Sequence, residues 1–211
     1  MSPKYNWFFK VLVFFGRHTL CRYLRVQCHG LDHLPDHGRF ILASNHRSTL
    51  DPVLVLLYSI PATKRIISPA ATRGLFVGPL GWLLRSMASA EIDRQTRRNL
   101  ANVRHLIKVL KARPILIFPE GGIVTPPERQ EGHAGVALIA SRTHVPVIPV
   151  ALVDTHKSLP KGGRWIKRHR VTLRFGKPLA PDAKGKTDLN AFTREIMSAI
   201  EQLEAKGHEN F

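Results

Sequence analysis

The sequence predicts an α/β fold in which a mixed, mostly parallel central sheet is flanked by helices. From Arg39 onward, short apolar runs alternate with longer stretches of helical periodicity, a rhythm typical of a covered sheet rather than of a helix bundle or a β-sandwich. The chain has 211 residues, of which 44% are hydrophobic, enough for one sizeable core but few for two. No linker or internal repeat divides it, so residues 26–211 are predicted to form a single α/β domain.

The individual elements are predicted from their periodicity and their flanking residues. Apolar runs predict strands at 39–44, 64–68, 86–92, 115–118, 145–153 and 171–175. Apolar residues at helical spacing predict helices at 52–58, 96–111 and 188–203. The inward faces of the last two helices are expected to carry Leu100, Val103, Ile107 and Leu110, and Phe192, Ile196, Ile200 and Leu203. The prolines in 145–153 favour an edge strand or a strand end, and Ser48, Thr49 or Asp51 is expected to cap the helix at 52–58.

The N-terminal residues 1–25 contain the most apolar stretch of the chain, residues 7–15. This stretch is too short to cross a bilayer, which takes about 20 apolar residues, and no signal-peptide cleavage site follows it. On a helix its polar side chains form a narrow stripe, which predicts an amphipathic helix lying in a membrane interface. The stripe consists of Asn6, Lys10 and Arg17, and Phe8, Val11, Leu12 and Phe15 lie opposite. The alternative is a helix packed on the core of its own domain.

The composition limits the partners and cofactors. Lys and Arg number 32 against 15 Asp and Glu, a formal net charge of +17 that favours anionic partners. Anionic lipid, phosphorylated substrates and acidic carrier proteins fit this charge. No nucleic-acid-binding signature occurs, so no nucleic acid is expected. The two cysteines, Cys21 and Cys28, lack metal-binding spacing, which indicates a reducing compartment, free thiols and no metal.

The densest positive run of the chain is residues 161–170. It carries five Lys and Arg residues and one aromatic residue, Trp165. Two interpretations stay open: a solvated hairpin, or a segment that adds electrostatic attraction to an anionic membrane leaflet if it faces the same way as the N-terminal helix.

His46 and Asp51 are the first candidates for chemistry. They follow the predicted strand at 39–44 and open a helix, a place where α/β sheets put their ligands. A carboxylate five positions after an imidazole, across a tight turn, can bind one ring nitrogen and leave the other to accept a proton. No serine or cysteine nucleophile motif accompanies the pair. The substrate is therefore expected to supply the nucleophile, most simply a hydroxyl. The alternative is that His46 is a strand-end polar residue and Asp51 a helix cap.

Two further segments end predicted strands in polar residues. Glu120, Gly121 and Gly122 follow the strand at 115–118, and the glycines can expose backbone N–H groups to an anion or a developing oxyanion. Arg94 follows the strand at 86–92 and could offer a planar fork to a phosphate at the same sheet edge. Taken alone, Arg94 is better explained as a solvated residue at the start of a helix.

These segments, in this order, resemble the glycerol-phosphate and lysophosphatidate acyltransferase family, whose hallmark is the motif Asn-His-x-x-x-x-Asp (HX4D). Asn45, His46 and Asp51 match that motif completely. Asp93-Arg94 is similar to the second motif of the family, residues 118–121 (Phe-Pro-Glu-Gly) to the third, and residues 145–150 (Val-Pro-Val-Ile-Pro-Val) to the fourth. The resemblance extends from about Gly30 to Pro178.

The resemblance implies an acyl transfer in phospholipid biosynthesis. His46 would be the general base, oriented by Asp51, while Arg94 and the third motif would hold the phosphate of the acceptor, most simply 1-acyl-glycerol-3-phosphate. The acyl donor would be acyl-CoA or acyl-carrier protein, with no metal and no bound cofactor. As part of the same motif, Asn45 is also expected to bind substrate. The protein would act on the cytoplasmic side of a membrane, as a peripheral or monotopic protein.

The third motif departs from the family pattern. The family commonly continues as Gly-Thr-Arg, whereas this chain has Gly121, Gly122 and Ile123. A hydroxyl and a guanidinium that could bind phosphate are thus missing, and Arg94, Arg129 and His133 are the candidates to compensate. An acyltransferase with another acceptor, such as a lyso-aminolipid or a glycolipid, is therefore an alternative. A non-catalytic basic protein that binds anionic membranes is a second, but it leaves the four ordered motifs unexplained.

Overall fold

The computed structural model describes residues 7–72, 89–92, 100–126, 128, 130–182 and 188–208. Seven strands form one sheet in the order β1-β7-β6-β2-β5-β3-β4. Their bounds are β1 Gln27–His29, β2 Ile41–Ser44, β3 Ser68–Thr72, β4 Ala90–Ile92, β5 Ile115–Ile117, β6 Val147–Val153 and β7 Thr172–Phe175. Every neighbouring pair is parallel except β6 and β7, which are antiparallel. The prediction of a mixed, mostly parallel sheet is confirmed.

Helices cover both faces of the sheet. Their bounds are α1 Trp7–Gly16, α2 Asp51–Thr63, α3 Leu100–Ala112, α4 Gly135–Thr143, α5 Thr155–Ser158 and α6 Leu189–His208. Alternate strand residues point to opposite faces. Leu42, Leu116 and Ile148 pack in one core cluster with α1 and α2, while Ile41, Ile115 and Val147 pack in a second with α3, α4 and α6. The sheet therefore separates two hydrophobic layers.

The central strands are the predicted ones, but two details of the prediction are wrong. The strand expected at 64–68 begins only at Ser68, because Lys64 ends α2 in a left-handed conformation at φ 53°. The run at 145–153 is an interior strand, with β7 on one side and β2 on the other. Pro149 is tolerated there although it has no backbone N–H. Its backbone faces the segment after β7, where its carbonyl accepts a hydrogen bond from the N–H of Gly176 (2.8 Å), and the sheet needs no N–H donor at this position.

The helices also differ in detail. The short strand β1, the helix α4 and the one-turn helix α5 were not predicted. In α3, Leu110 is buried and Val103 and Ile107 are partly buried, but Leu100 at its start is exposed and Leu106 takes the buried position instead. In α6, Phe192, Ile196 and Ile200 are buried as expected. Residues 96–99 of the predicted helix lie outside the described residues.

The N-terminal helix both contacts the core and exposes apolar side chains. Val13 and the following Cys21 and Leu24 are buried in the core cluster of α2, and Gly16 lies so close to Leu57 that a β-carbon there would approach it to 2.7 Å. Most apolar side chains described on α1 nevertheless face outward: Trp7, Val11, Leu12, Phe14 and Phe15. Among the described residues, none of the helices combines the length and the hydropathy that a membrane crossing requires.

Candidate active site

The sheet brings the carboxyl ends of three parallel strands to one edge. β2 pairs with β5 on one side and with β6 on the other. The segments that follow these strands carry His46, Glu120 and Asp154, respectively. Two of the sequence-predicted segments, the HX4D loop and the third motif, are therefore neighbours because the strands before them are neighbours.

His46 and Asp51 form the predicted pair. The Nδ1 of His46 lies 3.0 Å from Oδ2 of Asp51. The same carboxylate oxygen accepts hydrogen bonds from the backbone N–H groups of Arg47 and Ser48, both at 2.6 Å. Asp51 is fully buried, whereas 15% of the His46 side chain is exposed. A proton on Nδ1, held by Asp51, leaves Nε2 as the nitrogen that can accept a proton from a substrate.

Asp51 does not cap α2 with its side chain, contrary to one expectation. It is the first residue of the helix, the N-cap position is taken by Leu50, and no side chain caps the helix. Its carboxylate instead closes the preceding loop by binding the N–H groups of residues 47 and 48. Ser48 supports the same turn, since its Oγ accepts a hydrogen bond from the N–H of Leu50 (3.1 Å).

Phe118, at the start of the third motif, supports the imidazole. Its ring stacks on that of His46, with centroids 4.1 Å apart and an angle of 20° between the planes. The carbonyl of His46 also accepts a hydrogen bond from the N–H of Val124 (2.8 Å). The orientation of the base is therefore determined by both motifs, by a carboxylate on one and by an aromatic ring on the other.

A buried ion-pair network behind the pair joins three segments. Arg47 is only 6% exposed. Its NH1 lies 3.3 Å from Oε1 of Glu120, and its Nε and NH2 donate to the two carboxylate oxygens of Glu204 in α6, each at 3.3 Å. Burial alone would lower the pKa of Arg47, but the hydrogen bond and charge of Glu204, with the charges of Glu120 and Asp51, raise it above its usual range. The guanidinium thus stays charged and holds the HX4D loop, the third motif and α6 together.

Glu120 and Asn45, both expected to bind substrate, are occupied by the protein itself. Glu120 is 2% exposed, and besides Arg47 its carboxylate accepts a hydrogen bond from the N–H of His46 (3.2 Å). Asn45 is also buried; its amide donates to the carbonyl of Leu152 (2.9 Å) and accepts from the N–H of Leu152 (2.8 Å). These contacts place both side chains as supports of the site, Glu120 for the HX4D loop and Asn45 for the junction of β2 and β6.

The glycine turn of the third motif has a positive φ at Gly121, 71°, a conformation that favours glycine. The N–H of Gly121 donates to the carbonyl of Phe118 (3.0 Å). It is therefore already used, contrary to its expected role as an anion donor. Within the described part of the chain, no hydrogen bond takes up the N–H of Gly122, which remains the candidate. His133 packs against this turn, since a β-carbon on Gly121 would lie 3.1 Å from the imidazole ring.

Arg94 and Arg129, the other candidate phosphate ligands, lie outside the described residues. Two residues of the site were not singled out in the sequence. Arg47 lies within the HX4D motif, directly after His46, and this position in the sequence is a signal that could have been recognised. Glu204 lies 157 residues further along the chain, and in the sequence it resembles any polar residue of an amphipathic helix.

Comparisons with known proteins agree with the motifs. Residues 25–153 match the family model described as Acyltransferase. The chain is 30% identical over 151 residues to the chloroplastic 1-acyl-sn-glycerol-3-phosphate acyltransferase BAT2 of Brassica napus, an alignment that covers 70% of this chain and 42% of that protein. It is 28% identical over 162 residues to the chloroplastic 1-acyl-sn-glycerol-3-phosphate acyltransferase LPAT1 of Arabidopsis thaliana, covering 74% and 44%. The chain spans less than half the length of these curated relatives.

Among solved structures, the fold is similar to the crystal structure of the 1-acyl-sn-glycerophosphate (LPA) acyltransferase PlsC from Thermotoga maritima. The TM-score is 0.77 at 24% identity, and the match covers 93% of this chain and 78% of that one. At this identity the similarity concerns the fold. It agrees with the mixed sheet flanked by helices described above.

Proposed function

This chain belongs to the Acyltransferase family, and on that premise we propose that it moves a fatty acyl group from a thioester to the hydroxyl of a lysophospholipid, most simply 1-acyl-glycerol-3-phosphate. The observation that carries the proposal is the hydrogen bond between His46 and the fully buried Asp51. That bond leaves Nε2 of the partly exposed His46 as the nitrogen that can accept a proton. In this proposal the protein works in phospholipid biosynthesis.

The proposed reaction uses the acceptor as nucleophile. Nε2 of His46 takes the proton of the acceptor hydroxyl while the hydroxyl oxygen attacks the thioester carbonyl. The carbon–sulfur bond then breaks, the acyl group stays on the acceptor oxygen as an ester, and the leaving thiolate receives the proton from His46. Asp51 holds the imidazole in the required tautomer and stabilises its protonated form. The N–H of Gly122 is proposed to bind the negative charge that develops on the carbonyl oxygen.

The donor in this proposal is acyl-CoA or an acyl-carrier protein, and no metal or bound cofactor takes part. Both donors are anionic, in keeping with a net charge of +17. Within the described residues, no group of three or more His, Cys, Asp and Glu side chains is arranged to hold a metal ion.

The acceptor phosphate is proposed to bind at the third motif. Ile123 stands where the family commonly has arginine, and Lys161 brings a cation to this point: its Nζ lies 3.5 Å from the carbonyl oxygen of Ile123. Lys161 together with Arg94 and His133 can therefore supply the positive charge that the motif has lost. If they bind no phosphate, the acceptor is a lyso-aminolipid or a glycolipid.

The protein is proposed to act at the cytoplasmic face of a membrane, as a peripheral or monotopic protein. The support is α1, whose outward face carries Trp7, Phe14 and Phe15 next to cations. Side chains of this kind suit the boundary between headgroups and acyl chains.

The deciding experiment is an acyl-transfer assay. Purified protein is incubated with labelled acyl-CoA or acyl-carrier protein and with a panel of lysophospholipids, lyso-aminolipids and glycolipids. His46→Ala is expected to lower kcat by about 10²- to 10⁴-fold, the contribution of a positioned base, and Asp51→Asn to lower it as well. His105→Ala, which removes an exposed imidazole on α3, is the matched control. Full activity of a folded His46→Ala protein would remove the mechanism.

A further inference from the structure

The segment from Leu159 to Arg170, termed the basic loop, contacts its neighbours at several points. The carbonyl of Leu159 accepts a hydrogen bond from Oγ of Ser48 in the HX4D loop (2.7 Å). The N–H of Lys167 donates to the carbonyl of Ser158 (2.8 Å). His169 lies 3.4 Å from the carboxylate of Asp154. The basic loop is thus connected directly to the motif that carries the catalytic base.

The basic loop is also connected to the N-terminal helical region. The hydroxyl of Tyr23, which follows α1 and the π-helical turn Arg17–Cys21, donates to the carbonyl of Ile166 (3.4 Å). This contact joins residues 143 positions apart in the chain. It places the tip of the basic loop beside the segment that continues from α1, on the same side of the molecule.

These two regions carry nearly all the large apolar side chains that the described part of the chain exposes. Nine such side chains are exposed, and eight of them lie here: Trp7, Val11, Leu12, Phe14, Phe15, Tyr23, Trp165 and Ile166. The ninth is Leu100. Trp165 is 83% exposed, although the backbone on either side of it is hydrogen-bonded, at Gly163 and at Ile166. An exposed tryptophan has a cost in water and suits a membrane interface, where one end of the indole is apolar and the other hydrated.

The charged side chains along the sequence of the basic loop are all basic. The basic loop contains Lys161, Arg164, Lys167, Arg168 and Arg170, and the chain has no Asp or Glu from Thr155 to Pro181. Cations near an anionic leaflet add attraction, each of them about fivefold in binding. Charge alone would serve a carrier protein or a nucleic acid equally well. The exposed apolar residues at the tip, next to those near α1, favour a lipid bilayer.

We propose that the basic loop is a second membrane-contacting element, which inserts Trp165 and Ile166 into an anionic bilayer beside the α1 region. This deepens the proposed function, on which it rests for the reason why a membrane should lie near the active site. Through Ser48 and Ile123, the element that touches lipid contacts both motifs of the site. Contact with the bilayer and placement of the lysophospholipid headgroup would then occur on one side of the protein.

The test reports on Trp165 alone. In a W7F/W82F variant, Trp165 is the remaining tryptophan of the three in the chain. We expect its emission to shift to the blue and to be quenched when the protein is mixed with vesicles of phosphatidylglycerol and phosphatidylcholine brominated in their acyl chains. Vesicles of phosphatidylcholine alone should quench it less. Binding of the protein to the anionic vesicles without quenching of Trp165 would overturn the proposal.

Variants separate the apolar and the electrostatic contributions. Trp165→Ala should lower the partition coefficient for anionic vesicles about tenfold, and R164Q/K167Q about 25-fold. The matched control is R104Q/K108Q, which removes two exposed cations from α3 on the opposite face of the sheet and should change binding much less. Equal losses in the control would show that net charge acts without a specific loop, and would overturn the proposal.

The same variants distinguish this inference from the proposed function. Trp165→Ala should keep the activity of the wild type on a short-chain, monomeric acceptor and lose activity only on acceptor presented in vesicles. Absence of acyl transfer in every assay, with Trp165 still quenched by lipid, would end the proposed function and leave the membrane contact standing. Tighter binding to a carrier protein or to RNA than to vesicles, lost in Trp165→Ala, would assign the basic loop to that partner and overturn the membrane contact.

Discussion

At the scale of single residues, the spacing of His46 and Asp51 is explained by one oxygen atom. Oδ2 of Asp51 accepts the N–H groups of Arg47 and Ser48 and also faces Nδ1 of His46. The spacing of five positions between His46 and Asp51 lets the loop close on that oxygen. Asp51 is fully buried, so the two backbone donors and the imidazole provide the contacts that this oxygen would otherwise make with water. The motif therefore organises the fold of its own loop, in addition to the catalytic role proposed for the pair.

The first prediction concerns the cations that replace those missing from the third motif. Arg94→Ala should raise the KM for a phosphorylated acceptor about tenfold or more, because a charge-assisted hydrogen bond contributes about 1.5 to 3 kcal/mol, while the KM for the donor changes little. Lys161→Gln should have a smaller effect in the same direction, since Lys161 is exposed. Steady-state kinetics with each substrate varied in turn measures both effects.

Arg104→Ala on α3 is the control for the general loss of one positive charge. An unchanged acceptor KM in both Arg94→Ala and Lys161→Gln would contradict the prediction. It would show that the phosphate binds elsewhere or that the acceptor has none, which favours the lyso-aminolipid or glycolipid alternative.

The second prediction is that the thiols are unreactive in the folded protein. Burial raises the pKa of Cys21 to about 11 and that of Cys28 to about 12. At pH 8 the thiolate fraction of Cys21 is then only about one part in 10³, and only the thiolate reacts. Alkylation by iodoacetamide should be about 100-fold slower than for glutathione at pH 8. It should also keep rising with pH up to about 10, where the rate for glutathione has levelled.

Urea-unfolded protein is the control and should react at the rate of glutathione. Rapid alkylation of the folded protein, already level at pH 9, would show that a cysteine is accessible and ionised. A thiol nucleophile would then have to be reconsidered beside the His46 and Asp51 pair.

At the scale of elements, the last helix supports the first motif. Glu204 is near the end of α6, and its carboxylate binds the guanidinium of Arg47 in the HX4D loop. Ile196 and Ile200, on the buried side of the same helix, pack in the core layer that also contains residues of β2 and β5. The packing of α6 on the sheet therefore determines where the carboxylate meets the arginine.

The third prediction is that Arg47→Met destabilises the protein more at pH 8 than at pH 5. Burial raises the pKa of Glu120, and Arg47 lowers it in opposition, so removal of the guanidinium raises that pKa further. When the pKa of a carboxyl is higher in the native than in the unfolded protein, the free energy of unfolding decreases as the pH rises through the native pKa. The loss at pH 8 should be about 3 kcal/mol, the cost of leaving a buried charge without its partner.

Urea denaturation at the two pH values measures this difference, with Arg142→Met on the exposed side of α4 as the control for lost net charge. Equal losses at pH 5 and pH 8, or a loss no larger than that of the control, would contradict a buried Arg47 and Glu120 pair. In that case the site would be held by the hydrogen bonds of Asp51 and Phe118 packing alone.

The elements that could be predicted from the sequence are those whose local pattern and tertiary position agree. The continuous apolar runs of β2, β5 and β6 were predicted because strands buried on both faces admit only such residues. β3 was misplaced because its sequence, Ser-Pro-Ala-Ala-Thr, has little β-propensity, while the preceding Ile66 and Ile67 have much. Pairing with β5 and β4 overrides that local preference.

The residues of the site show the same distinction between local pattern and tertiary contacts. His46 and Glu120 could be found because each closely follows a recognisable strand, and Asp51 because it completes the motif that begins at Asn45. The contacts that decide their roles could not be predicted, because they join distant segments: Asn45 to Leu152, Arg47 to Glu204 and His46 to Phe118. Asn45 and Glu120 were assigned to substrate from the motifs alone, whereas their side chains contact the protein itself, Asn45 at the junction of β2 and β6 and Glu120 at the HX4D loop.

At the scale of the whole molecule, charge and apolar surface act together. The net charge of +17 attracts any anionic surface over a distance set by salt, whereas the apolar side chains of α1 act only on contact. The structure also limits how α1 can be tested. Val13, Cys21 and Leu24 are core residues, so deletion of residues 1–25 would disturb the fold, and substitution of exposed side chains is the better experiment.

The fourth prediction is that membrane binding consists of two separable parts. The Debye length falls to about 3 Å at 1 M salt, so high salt should release only part of the wild-type protein from anionic vesicles, the remainder being held by apolar insertion. In F14Q/F15Q, which changes two side chains that are 55% and 59% exposed, the same salt should release a clearly larger share than from the wild type, since only the remaining apolar contacts, including Trp165, then hold the protein. Flotation of protein with vesicles at 0.1 M and 1 M NaCl measures the two parts.

Leu100→Gln is the control, because it changes an equally exposed apolar residue on α3, and it should behave as the wild type. Complete release of the wild type by salt would show that α1 contributes no insertion, and that the molecule is held at the membrane by its charge alone.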